Sequence, residues 1–153
     1  MKPTVKNGTY KMNMAHYAGN LSETIGEFVN EYIGDMCTEY DLDYERWEVN
    51  FFDFFKAMSK RITYAVDDAF NDIADYIRVD MSTEEATVSN DLFMRPDYLP
   101  ADITVTDADG LIKAWEEEFG VDEIEDGYHI SGFYRTCSDE QWSLHCILCD
   151  YAE

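Results

Sequence analysis

One segment near the amino terminus places apolar and acidic residues on opposite sides of a predicted helix. Its apolar residues recur at helical spacing and are Ile25, Phe28, Val29, Tyr32, Ile33, Met36 and Tyr40. Its carboxylates recur every four residues and form what we call the acidic row: Glu23, Glu27, Glu31, Asp35 and Glu39. Like charges at i and i+4 on a helix repel by a few tenths of a kcal/mol per pair. The pattern predicts an amphipathic helix with Ser22 as its N-cap, and folding alone does not require the acidic row.

A second apolar stripe follows the first along the chain. Apolar residues keep helical periodicity from Trp47 to Ile77, over about thirty residues. No capping signal interrupts this stretch, which predicts either one long helix or two helices with a bend near Thr63. Residues 20–80 are therefore predicted to form a helical part with two or three helices. Residues 1–19 are predicted to be irregular or to form a short strand.

Prolines and polar residues mark a change beyond residue 82. Pro96 and Pro100 fall within residues 82–102, so this stretch is predicted to connect two parts of the chain. A helix is predicted after it, because the residues from Thr106 to Asp109 resemble a capping box. Gly120 predicts the end of that helix, since glycine readily adopts the left-handed conformation found there.

Alternating residues near the carboxyl terminus predict a β-hairpin. Apolar and polar residues alternate over 129–136 and again over 142–151, with the polar residues 138–141 between them. Residues 103–153 are therefore predicted to form a smaller part with one helix and a C-terminal β-hairpin. The predicted fold class is α+β, within a single domain that spans residues 1–153.

Acidic residues greatly outnumber basic ones. The chain has 33 Asp plus Glu against 11 Lys plus Arg, which gives a net charge of −22. Hydrophobic residues make up 46% and aromatic residues 15%, which is too apolar for a disordered acidic tail. The charge is therefore expected on the surface of a folded chain. Such a field repels nucleic acids and anionic membranes and attracts basic clefts, so we expect no direct binding to either.

Cysteine usage and hydropathy predict a cytoplasmic protein. The amino terminus carries Lys2 and Lys6, but no apolar stretch of a secretory signal follows them. No apolar run is long enough to span a bilayer. In this setting the four cysteines are expected to be reduced thiols.

Two patterns resemble metal sites but are incomplete. Cys146 and Cys149 have the spacing of a zinc knuckle, but in a strand their side chains would point to opposite faces. Residues 107–116 match part of an EF-hand loop, whose first ligand position would be Val105. Because valine has no carboxylate, calcium is not expected there. The sequence therefore predicts no metal and no cofactor.

No group of residues has the spacing typical of a catalytic site. His16, His129 and His145 lie in separate segments, so no serine or cysteine triad is indicated. The glycines match no phosphate-binding fingerprint. With so many acids in the chain, no pair of carboxylates stands out for acid–base work. The chain is predicted not to be an enzyme and to have no catalytic residues.

Two acid-rich stretches supply the candidate partner-binding residues. Residues 20–55 hold ten acids and one base, and residues 97–126 hold eleven acids and one base. The first stretch contains the acidic row. The second contains what we call the acidic cluster: Glu116, Glu117, Glu118, Asp122, Glu123, Glu125 and Asp126. Ordinary surfaces mix both signs, so we predict that these residues bind a basic nucleic-acid-binding protein. Plain solvation or adaptation to high salt is the alternative.

In charge and size the chain resembles the acidic DNA-mimic inhibitors that phages and mobile elements carry, of the antirestriction and anti-CRISPR kind. The resemblance rests on the acidic row and on the acidic cluster. It implies an inhibitor that blocks the basic groove of a nuclease or effector complex in the cytoplasm of a bacterial host cell. The steps of the acidic row rise about 6 Å each, on the scale of the phosphate spacing in a nucleic-acid strand.

Two other classes of function remain open from the sequence. An immunity protein that neutralises a nuclease toxin would share the same electrostatics. A non-catalytic oligomerisation or scaffold module would instead use its aromatic helix as an interface, and a homodimer is one form that it could take.

Overall fold

The computed structural model describes residues 1–17, 21–39, 51–82, 87–88, 96–125 and 137–152. Within these ranges the chain forms helices and two small antiparallel sheets. The helices are α1 (Leu21–Glu39), α2 (Phe51–Ala69), α3 (Ala108–Phe119) and α4 (Asp139–Ala152). The strands are β1 (Gly8–Asn13), β2 (Ile77–Met81), β3 (Thr87–Val88), β4 (Pro96–Tyr98) and β5 (Pro100–Val105). Single 3-10 turns lie at Met14–His16 and Asn71–Ile73.

The larger sheet has the strand order β1-β5-β2, with β5 antiparallel to both neighbours. In this register Ile103 lies opposite Tyr10 on one side and Val79 on the other. Successive side chains of a strand point to opposite faces. Ile103 and Val105 are therefore buried on the inner face, while Asp102 is exposed on the outer face.

The outer face of this sheet carries balanced charge. Lys11 lies 4.0 Å from the carboxylate of Asp102, and Arg78 lies 3.0 Å from that of Asp80. All four side chains are well exposed, so each pair contributes little to stability. Their significance is that cations and carboxylates alternate here, as they do on ordinary protein surfaces.

One hydrophobic core joins the inner face of the sheet to the helices. Its centre contains the fully buried side chains Ile103, Leu111, Leu144, Ile147 and Leu148. Complete burial of an aliphatic side chain of this size contributes about 1.5–3 kcal/mol. Helix α2 joins through Ile62 and Val66, and α1 through Ile33.

The predicted C-terminal β-hairpin is wrong. Residues 139–152 form helix α4, and the strands of the fold lie at the amino terminus and in the middle of the chain. The buried residues Leu144, Ile147 and Leu148 have helical spacing, which the apparent alternation concealed. Ser138 and Gln141 form a capping box, in which each side chain accepts a hydrogen bond from the backbone N–H of the other residue. The first predicted strand, 129–136, lies outside the described residues.

Strands also occur in the middle of the chain, where the sequence predicted helix or a connecting segment. Helix α2 ends at Ala69, and Ile77 begins strand β2 rather than continuing the helix. Phe70, Ile73 and Ile77 are all buried, but a 3-10 turn and a strand place them in the core. The stretch 82–102 contains β3, β4 and the start of the central strand β5. Pro100 is tolerated as the first residue of a strand, where proline commonly occurs.

The helix predicted after Thr106 is present as α3. Asp107 is its N-cap, and the carboxylate accepts a hydrogen bond from the backbone N–H of Gly110 at 3.0 Å. Gly120 is its C-cap, with a φ of 65° in the left-handed region. Both ends of α3 therefore follow from residues that sequence patterns recognise.

We predict that Asp107→Ala lowers the free energy of unfolding by about 1 kcal/mol, because it removes the side-chain acceptor of the N-cap. Asp107→Asn keeps an acceptor at the same position and should retain most of that stability. Urea unfolding monitored by circular dichroism measures both. Equal losses in the two variants would contradict the capping role of Asp107. A wild-type stability that rises on addition of calcium would contradict the prediction that this loop binds no calcium.

Candidate functional site

The first four residues of the acidic row lie on the exposed side of α1. Glu23, Glu27, Glu31 and Asp35 are all exposed, whereas Ile33 is buried. Glu39 ends the helix. Rows of residues at i and i+4 wind around a helix at about 26° to its axis. The carboxylates therefore follow a shallow spiral with steps of about 6 Å.

Arg61 of α2 contacts this surface at one point. Its guanidinium lies 3.9 Å from the carboxylate of Glu31 and 5.7 Å from the centroid of the Phe28 ring. Both partners of the ion pair are at least half exposed, so the pair adds little to stability. The sequence of α1 itself contains no Lys or Arg.

The acidic cluster lies at the end of α3 and in the segment that follows it. Glu117, Glu118, Asp122, Glu123 and Glu125 are exposed, and Glu116 is partly buried. Asp126 lies outside the described residues. Lys113 pairs with Glu117 at 3.9 Å across one turn of α3.

Backbone contacts hold the segment 121–125 against the core. The N–H of Ile124 donates to the carbonyl of Met1 at 2.7 Å, and the ammonium of Met1 donates to the carbonyl of Ile124 at 3.1 Å. The indole N–H of Trp142 donates to the carbonyl of Glu125 at 3.0 Å. The exposed acids of this segment are thus mounted on a fixed backbone, which reduces the entropy that a partner must remove on binding.

A pocket of about 550 Å³ opens between α3, the segment 121–125 and α4. Indole rings, carboxylates and thiols share its surface. Its described lining residues are Trp115, Val121, Glu123, Ile124, Glu125, Trp142, His145, Cys146, Cys149 and Asp150. The indole N–H of Trp115 donates to Oδ2 of Asp150 at 2.7 Å, which fixes that carboxylate at the pocket wall.

His145 is a buried, neutral side chain that lines this pocket. Its Nδ1 lies 2.6 Å from the hydroxyl of Tyr17, and its ring contacts those of Tyr17 and Trp142. Burial, with a smaller contribution from the nearby His16, lowers the pKa of His145 from 6.5 to about 4. The imidazole is therefore uncharged at neutral pH.

Cys149 lies beside His145 without forming a dyad suited to proton transfer. Its Sγ is 3.6 Å from Nε2 and 3.9 Å from Nδ1. Both distances are long for proton transfer, and an imidazole whose pKa is about 4 is a weak base for a thiol proton. Burial also raises the pKa of the neighbouring Cys146 thiol to about 12. This geometry does not activate a nucleophile.

Neither metal-like pattern of the sequence forms a ligand cluster within the described ranges. Cys146 and Cys149 lie one turn apart on α4, so the prediction that they point to opposite faces of a strand is wrong. Even so, no group of three or more metal-ligating side chains occurs among the residues that the structure describes. In the EF-hand pattern, Asp107 caps α3 through the N–H of Gly110.

Among the described lining residues of the pocket, Glu123 and Glu125 belong to the acidic cluster and none belongs to the acidic row. Sequence patterns did not predict the pocket, because it depends on α4, which was predicted to be a strand. The capping pattern at Ser138 and Gln141 was the one signal that could have revealed it.

Within the described ranges, none of the helices combines the length and the apolarity that crossing a bilayer demands. Comparisons with protein-family models, with curated proteins and with solved structures gave no match. The function must therefore be argued from the chain's own geometry and charge.

We predict that His145 makes the folded state lose stability in acid. His145 becomes protonated near pH 6.5 in the unfolded chain, but only near pH 4 in the folded chain. Between these values the unfolded state binds more protons, so this residue's contribution to stability falls as the pH is lowered from 6.5 to 4. Melting temperatures over this range, measured for wild type and for His145→Gln, isolate that contribution.

As the pH falls, the melting temperature of the wild type should decrease more than that of His145→Gln. A second uncharged substitution, His145→Asn, provides the control, because it should show the same shift with pH as His145→Gln. A wild-type-minus-variant difference that stays constant from pH 7 to pH 4 would contradict the buried neutral state of His145.

Proposed function

We propose that this chain is an acidic inhibitor that mimics the charge of nucleic acid and blocks the basic groove of a nucleic-acid-binding protein, such as a host defence nuclease. The observation that carries the proposal is the unequal distribution of charge over the surface. Four exposed carboxylates of α1 face solvent on a helix without a single Lys or Arg. The segment from Glu116 to Glu125 likewise contains no base.

The outer face of the sheet provides the comparison within the same molecule. There Lys11 and Arg78 balance Asp102 and Asp80. Adaptation to high salt, or a general need for solubility, would favour acids on every exposed surface. Charge of one sign on α1 and over residues 116–125, beside a balanced sheet face, favours a surface selected for a basic partner.

The geometry of the acidic row supports the same class of partner. Its carboxylates rise in steps of about 6 Å along a regular helix. A groove that binds a nucleic-acid strand presents Lys and Arg side chains at comparable intervals, because each neutralises a phosphate. A helix that presents carboxylates at these positions competes with the strand for the same cations.

The expected mechanism is that the chain competes with nucleic acid for the basic groove and catalyses no reaction. Charge complementarity accelerates the encounter, and the fixed backbone around Ile124 lowers the entropy lost on docking. The affinity should fall as salt rises, because exposed charges are screened beyond a Debye length of about 10 Å at 0.1 M salt.

We predict that Glu27→Gln, Glu31→Gln and Asp35→Asn, made together, weaken partner binding and leave the fold intact. Immobilised protein is incubated at low salt with a nuclease-treated bacterial lysate and eluted with a salt gradient, and the bound proteins are identified by mass spectrometry. Wild type should retain nucleic-acid-binding proteins that carry a basic groove. The triple variant should release them at lower salt.

The matched control is Asp67→Asn, Asp68→Asn and Asp75→Asn, which removes the same charge from exposed positions outside both acidic surfaces. This variant should elute its partners as the wild type does. The melting temperature of the Glu27, Glu31 and Asp35 variant should equal that of the wild type or exceed it slightly, because repulsion along α1 is relieved. If both triple variants release the partner equally early, net charge rather than the acidic row determines binding.

A further inference from the structure

We infer that the pocket between α3 and α4 receives an arginine side chain of the basic partner. The inference rests on the proposed function and names the chemical group that the partner inserts. The acidic cluster borders this pocket, since Glu123 and Glu125 line it. Arginines in well-packed pockets at the centre of an interface often supply much of the binding energy.

The pocket presents hydrogen-bond acceptors, so the group that binds there should be a hydrogen-bond donor. Both indole N–H groups are already engaged, that of Trp115 by Asp150 and that of Trp142 by the carbonyl of Glu125. At neutral pH an ionised carboxylate accepts hydrogen bonds and donates none, and this applies to Glu123, Glu125 and Asp150. A guanidinium group offers five N–H donors and no acceptor, which complements this arrangement.

The charge of the pocket lining is negative, so the group that binds there should be a cation. Among its described lining residues, three are carboxylic acids and none is Lys or Arg. His145 adds no positive charge at neutral pH, since its imidazole is held neutral by burial. Cys146 adds no negative charge, because its thiol stays protonated. The described lining residues thus carry carboxylate charge alone.

The shape and walls of the pocket favour arginine over a compact ammonium ion. Val121, Ile124 and the two indoles provide apolar surface for the alkyl stem of a long side chain. A planar guanidinium is also more weakly hydrated than an ammonium and pairs with carboxylates in a bidentate manner. Lysine would satisfy the charge but would lose more hydration on entering the pocket.

A titration with N-acetyl-arginine amide tests this inference without any knowledge of the partner. The ¹⁵N-labelled protein is followed by NMR at low salt through the indole N–H signals of Trp115 and Trp142. Both signals should shift saturably with a millimolar dissociation constant. The citrulline analogue, which has the same shape and no charge, should leave them unmoved, and the lysine analogue should bind more weakly.

Variants locate the binding site. Glu123→Gln combined with Asp150→Asn removes two carboxylates, while asparagine keeps an oxygen to accept the Trp115 indole N–H. This variant should bind N-acetyl-arginine amide at least about tenfold more weakly, the loss expected for removal of charge-assisted hydrogen bonds. The Glu27, Glu31 and Asp35 variant removes remote charge from α1 and should bind the probe as the wild type does.

Three results would overturn the inference: no saturable shift of either indole signal, equal shifts with the citrulline analogue, or equal weakening by the α1 variant. Lysine amide that binds as tightly as arginine amide would also overturn the choice of arginine. A failure of the arginine titration is distinguishable from a failure of the proposed function, because the capture of partners from the lysate is expected to depend on the acidic row. Capture that persists without arginine binding would refute the pocket's role alone.

Discussion

The pairing of β5 with β1 and β2 determines which surfaces of this protein face solvent. Because side chains alternate along each strand, the same register that buries Ile103 and Val105 also exposes Asp102 and Thr9 on the other face. The helices pack against the inner face through one continuous core. A one-residue slip of β5 would place Asp102 in that core, so the register is strongly specified. The arrangement of the helices, and with it the placement of the acids, depends on this sheet.

The net charge of −22 limits how the remaining surface can be built. Self-repulsion works against compaction, and the apolar core offsets it. The aromatic side chains in that core also hold parts of the acidic surface in place. Trp115 positions the carboxylate of Asp150, and Trp142 holds the backbone of Glu125. The same residues that stabilise the fold therefore order the groups proposed to meet a partner.

Local signals in the sequence predicted some elements well and others poorly. Helix α1 followed from its apolar stripe, and α3 from the Asp107 cap and the Gly120 terminus. Strand β5 was missed, because Pro96 and Pro100 indicated a connection while its pairing partners lie far away in the sequence. Helix α4 was predicted as a strand, since Leu144, Ile147 and Leu148 belong to a short, largely buried helix with little amphipathic contrast. The exposure of the acidic row could be foreseen from the helix alone, whereas the pocket required the tertiary packing of α3 against α4.

We propose that a partner contacts the acidic row and the acidic cluster and does not contact the balanced outer face of the sheet. Carbodiimide labelling of carboxylates, read by mass spectrometry in the free protein and in the complex with its captured partner, tests this claim directly. The account predicts protection of Glu27, Glu31, Glu123 and Glu125 on complex formation, with Asp80 and Asp102 labelled as in the free protein. Protection confined to Asp80 and Asp102, or labelling unchanged at every carboxylate of the acidic row and the acidic cluster, would contradict it.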